Sequence, residues 1–126
     1  MTESYKQTLD LPVCEKTTAQ ITLPLTDEAD QPLAPGLVDT VTLTLYDRDT
    51  EAIINARNAS DIKNANGGTV GTTGLTLVLG TADNALLDAT KNREVHIALI
   101  KWTWSGSAKT GVKELSLTVF NQAKIT

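Results

Sequence analysis

The sequence predicts an all-β protein, a two-sheet β-sandwich of about seven short strands, and three observations carry that expectation. Leu, Ile or Val recurs at every second position in residues 21–25, 41–45, 75–79 and 115–119, with Thr or Ser in many of the gaps. A period of two sets one face of a strand on a core and the other in water, whereas an amphipathic helix repeats every 3.6 residues. Between these stretches lie turn formers, among them Pro32, Pro35, Gly36, Gly67, Gly68, Gly71, Gly74 and Gly80, as short strands joined by turns require. The aromatic content is low, two Trp, two Tyr and one Phe in 126 residues of which 40% are apolar. The core must therefore be built mainly from Leu, Val, Ile and Ala.

A chain of this length forms one domain of common size, ~100–150 residues, and buries roughly two-thirds of its unfolded surface without disulfide or metal staples. Residues 1–19 are expected as an N-terminal arm or edge strand, 20–122 as the sandwich and 123–126 as a C-terminal tail. In the arm, Leu9, Leu11 and Val13 alternate weakly, and Pro12 suits an edge, where a missing N–H costs nothing. Strands are expected at 21–25, 38–46, 52–55, 69–70 and 75–79. Strands at 94–103 and 113–121 form a closing hairpin. Two helical turns are also expected, one at 57–63 capped by Ser60 and one at 81–88 capped by Thr81 with acids in its first turn.

Charge excludes one class of partner. The net charge is -4, from 15 acidic and 11 basic side chains, and no basic run offers the several Lys or Arg that phosphate neutralisation needs. No direct nucleic-acid binding is expected. Residues 1–5 lack the basic start and apolar stretch of a signal peptide, and no apolar run approaches the ~18–20 residues of a membrane span. Cys14 is the single cysteine, so no internal disulfide can form, and it reads as a small, inert thiol. These features fit a protein made and kept in a reducing cytoplasm until assembly.

Catalytic equipment is sparse. Asp47, Asp49 and Glu51 alternate and could offer oxygens to Ca²⁺, but Arg48 interrupts them and a solvated turn explains them better. His96 is the sole histidine; a metal site would need further N or S donors, and only Cys14 could supply one. The chain contains no Gly-x-Ser-x-Gly elbow, and its glycines do not spell a phosphate loop. The expectation is a non-enzymatic protein with no cofactor, no metal and no catalytic residue. In residues 94–104 one parity is Val95, Ile97, Leu99, Lys101, Thr103 and the other His96, Ala98, Ile100, Trp102, Trp104. Both are largely apolar, so Trp102 and Trp104 either plug one end of the core or anchor a subunit contact.

Residues 41–58, from Val41 through Tyr46-Asp47 to Arg57-Asn58, resemble small immunoglobulin-like structural proteins of tailed-bacteriophage virions. The likeness continues through residues 64–67, 75–79 and 94–104 and covers roughly 20–122. The order of a Asp27-Glu28…Pro32 loop, a strand, Tyr46-Asp47 and a closing hairpin is also similar to the N-terminal module of phage upper baseplate proteins. The resemblance implies an immunoglobulin-like sandwich and a structural role in a virion, made in the host bacterial cytoplasm. The neck or collar at the head–tail junction comes first, a capsid decoration role next, then a tail or baseplate attachment module. Its implied partners are other virion proteins (portal or connector, major capsid or tail proteins), met in multiple copies of a symmetric assembly, with no membrane. Trp102, Trp104, Tyr5, Leu9 and Leu11 are the candidate interface residues. From another class, a carbohydrate-binding sandwich would use Trp102 and Trp104 as a stacking platform.

Overall fold

The computed structural model describes residues 6–14, 17–29, 31–72, 74–88, 90–106 and 108–121, with side chains described from residue 17 onward. Eight strands follow in order: β1 Lys6–Cys14, β2 Ala19–Leu23, β3 Val38–Asp47, β4 Ser60–Asp61, β5 Gly68–Gly71, β6 Gly74–Leu79, β7 Arg93–Trp104 and β8 Lys109–Phe120. They form a five-stranded sheet, β1-β8-β7-β3-β4, packed on a three-stranded sheet, β2-β6-β5. All pairings are antiparallel except that of β1 with β8, which is parallel. The order matches an immunoglobulin sandwich, three strands B-E-D against four strands C′-C-F-G, with the first strand laid on the last rather than beside β2.

The period-two stretches supply the core. Val41, Leu43 and Leu45 of β3, Leu75, Leu77 and Leu79 of β6, and Leu115 and Leu117 of β8 are buried between the sheets. Burying each such side chain contributes about 1.5–3 kcal/mol. The long β7 runs beside β8 through its whole length and beside β3 from His96 to Trp104. Its even parity, Ala98, Ile100, Trp102 and Trp104, enters the same core, and Ile97 is buried on the opposite face. Gly74 opens β6 at φ +113, where a side chain would strike the Leu23 carbonyl and Pro24; glycine alone fits there.

Three sequence expectations are corrected. The helical turn at 57–63 is instead β4, because β3 has an edge to satisfy: Ser60 pairs with Leu43, and the Ile62 amide donates to the Val41 carbonyl at 2.9 Å. The strand at 52–55 is reduced to a single bridge between Ile53 and Tyr46, since Asn55 and Ala56 turn to positive φ. The helical turns at 81–88 are turns without helix. The Leu87 and Asp88 amides, which a helix would send to carbonyls one turn back, donate to the Glu94 carboxylate at 2.9 and 2.8 Å. Among the described residues the helical element is the 3₁₀ turn Pro35–Leu37.

Candidate functional site

The two ends of the sandwich differ in chemistry, and each holds a candidate site. At one end β7 and β8 finish their hairpin and the loop after β2 closes over them. Trp102 lies flat on β8: a Cβ at its paired residue Gly111 would overlap the indole. The indole N–H donates to the Thr26 carbonyl at 2.9 Å, tying β7 to the loop from the other sheet. That loop is pinned by Asp27 Oδ1, which accepts the amides of Ala29 and Gln31, and by a bridge between Thr26 and Pro32. Beside it runs an open groove of about 780 Å³ lined by Pro24, Glu28, Trp102, Trp104, Lys109 and Gly111, among others. Lys109 and Glu28 form an exposed ion pair across it at 2.5 Å, a pair worth at most about 1 kcal/mol.

The structure puts Trp102 and Trp104 in the core, only 4% and 8% exposed, with their edges on the groove. Leu9 and Leu11 lie in β1, but their side chains fall outside the described residues, as does all of Tyr5. The backbone of β1 pairs with Glu114–Phe120 of β8, with a register shift between Thr8 and Pro12. Among the described residues, no strand lies beside residues 109–112 on the side away from β7.

At the opposite end the core turns polar. Asp47, the last residue of β3, and Glu94 and His96, near the start of β7, occupy core-facing positions, and Asp47 is paired with His96 across the strands. They are 2%, 4% and 1% exposed. One oxygen of each carboxylate and one ring nitrogen of the histidine all lie within 4.8 Å of one another. His96 Nε2 is 2.9 Å from Glu94 Oε1. Both Glu94 oxygens already accept amide protons from Leu87 and Asp88, so the carboxylate is the acceptor and Nε2 carries the proton. Asp47 Oδ2 accepts the Thr50 amide and hydroxyl at 3.0 and 2.9 Å. Asp47 Oδ1 and His96 Nδ1 are buried without a hydrogen-bond partner among the described residues.

Beside this cluster, Arg57 grips Asp83 with two parallel bonds, Nε to Oδ1 at 2.9 Å and Nη2 to Oδ2 at 3.0 Å. Asn55 Nδ2 and the Gly80 amide also donate to Asp83. Burial pushes the Asp83 carboxyl up, but the bonds from Arg57, Asn55 and Gly80 and the Arg57 charge outweigh it. The group is held below its usual 3.8. The pair locks the segment after β3 to the loop after β6 and is built for structure rather than chemistry.

Sequence reasoning singled out His96 but looked only to Cys14 for company, and it grouped Asp47 with Asp49 and Glu51. The structure separates that acidic trio: Asp47 points inward while Asp49 and Glu51 are exposed. It brings Asp47 to Glu94 and His96 instead. A signal for this existed. Asp47 shares the parity of Val41, Leu43 and Leu45, and Glu94 and His96 share that of Ala98 and Ile100, so polar groups stood on apolar faces at facing strand ends. No family model matches this sequence, and no curated protein is significantly similar to it.

Proposed function

We propose that this chain is a non-enzymatic structural component of a tailed-phage virion, set at the head–tail junction as a neck or collar protein. The sequence resemblance described above suggests the setting, and the feature that supports an assembly role is the outer edge of β8. Among the described residues, no strand lies beside its stretch 109–112 on the side away from β7, next to a groove that opens at the loop end of the sandwich. An extended segment of a neighbouring virion subunit can add there as a strand, with main-chain bonds giving affinity and the groove giving specificity. A rigid sandwich repeated in many copies suits such a joint, because each copy presents the same edge in the same geometry.

The test is to purify the particle that carries this protein and to make particles lacking it. The chain is expected in the virion at a fixed copy number near the junction, and particles without it should hold filled heads that fail to join tails. Its absence from purified particles would end this reading. The carbohydrate-binding alternative has less support: both indoles are almost wholly buried, which leaves little ring face for a sugar to stack on.

A further inference from the structure

We propose that Asp47, Glu94 and His96 form a binding site for a divalent first-row transition-metal ion, with Zn²⁺ the best match, at the polar end of the sandwich.

The first observation is geometric. Three residues with ligand-type atoms converge within 4.8 Å in the interior, all of them nearly inaccessible to solvent. The second is independent of it: two buried atoms in this cluster, Asp47 Oδ1 and His96 Nδ1, lack partners among the described residues. Buried polar atoms are nearly always satisfied, and two unsatisfied ones on residues paired across neighbouring strands point to one missing group that meets them. A cation meets both at once, because each atom offers a lone pair.

Charge separates an ion from a water molecule as that group. Two carboxylates face one another here, and among the described residues neither has a Lys or Arg partner. Backbone amides, one Thr hydroxyl and the His96 Nε2–H are what compensates them. A water would satisfy the lone pairs and leave the buried charge; a divalent ion answers both.

The imidazole is already held as a metal ligand is held. Nε2–H donates to a carboxylate that is itself fixed by two amides, so that in the neutral ring Nδ1 is the nitrogen with the lone pair. A nitrogen with carboxylate oxygens is a donor set for Zn²⁺ and its first-row neighbours, and not for Ca²⁺, which takes oxygens alone. Asp47 Oδ1 and His96 Nδ1 are the primary ligands, and Glu94 positions the ring from its other nitrogen. The site is closed to solvent, so the ion is structural and is captured as the chain folds.

The experiment uses the full chain, stripped with a chelator and titrated with ZnCl₂ by calorimetry while the melting midpoint is followed. We expect one ion per chain and a raised midpoint. Cys14→Ser should leave both unchanged. Asp47→Asn and His96→Gln, which keep size and polarity, should weaken binding by at least about tenfold. X-ray absorption of the zinc-loaded wild type should give nitrogen and oxygen ligands with no sulfur, a readout that holds even if a variant fails to fold. No binding by the wild type at millimolar Zn²⁺, sulfur in the ligand shell, loss of binding in Cys14→Ser, or an equal effect of Ca²⁺ would each overturn the proposal.

Discussion

The tryptophan end and the polar end of the sandwich close the same core by opposite means. Among the described residues, every buried polar or charged side chain (Asp47, Asp83, Asn84, Glu94, His96 and Asn121) belongs to one end, and both tryptophans belong to the other. At the tryptophan end the plug is apolar bulk fitted to a bare stretch of backbone, with one indole hydrogen bond to fix it. At the polar end, side chains hold backbone. Asn84 donates to the Thr17 carbonyl, Asn121 to the Lys91 carbonyl, and Glu94 takes two loop amides. The difference teaches that a sheet end can be sealed by shape or by charge-assisted bonding. The two respond to different perturbations: shape fails when volume changes, and bonding fails when a partner or a proton is changed.

The largest effect should come from the first kind. Trp102→Ala removes the plug and its bond to Thr26, and should cost about 3–5 kcal/mol in urea denaturation. A loss below 1 kcal/mol would mean that the loop collapses onto β8 and refills the space. Arg57→Ala should cost about 3 kcal/mol, since it strands the buried Asp83 carboxylate without its guanidinium. The same pair gives the polar end a pH dependence of known sign. The folded-state pKa of Asp83 lies below its unfolded value near 3.8. The stabilisation is therefore fully present above that value and is lost as pH falls through the folded pKa. Acid titration of the melting midpoint should show wild type and Arg57→Ala converging below about pH 4. Parallel curves would deny the linkage.

Gly111→Ala should cost about 1–3 kcal/mol by forcing the indole off the strand. In a Trp102→Leu background most of that penalty should vanish, because the atoms it strikes are gone. A double-mutant cycle reads the coupling, and full additivity would show that the glycine is needed for its backbone instead. The smallest effect belongs to the outer face at the tryptophan end, where Thr40 and Thr103 hydroxyls meet at 2.6 Å. Thr40→Val should change stability by only about 0.2–1 kcal/mol.

Much of this architecture is legible in the sequence because burial imposes a period. Residues 41–45 and 75–79 alternate for the reason that they form strands with one face inside, and the structure puts those faces in the core. The same rule reads β7, whose double apolar parity matches burial on both faces at Ile97 and Ala98. The connections are less legible. Residues 81–88 carry a local helix signal, but Glu94 takes the amides and Arg57 takes the acid, 26 positions away in the chain. No local pattern encodes a bond at that separation. The polar cluster falls between these cases: each residue is visible as a misfit on an apolar face, but only the register of Asp47 with His96 makes three misfits one group.

The placement of the two indoles has a practical consequence. Ultraviolet-excited emission from this molecule comes almost entirely from a single pole of the two-sheet stack, both chromophores being shielded from solvent there. A red shift therefore times the opening of that pole alone, and pairing it with amide exchange at Leu87 and Asp88 would reveal whether the opposite pole lets go in the same event or in a separate one.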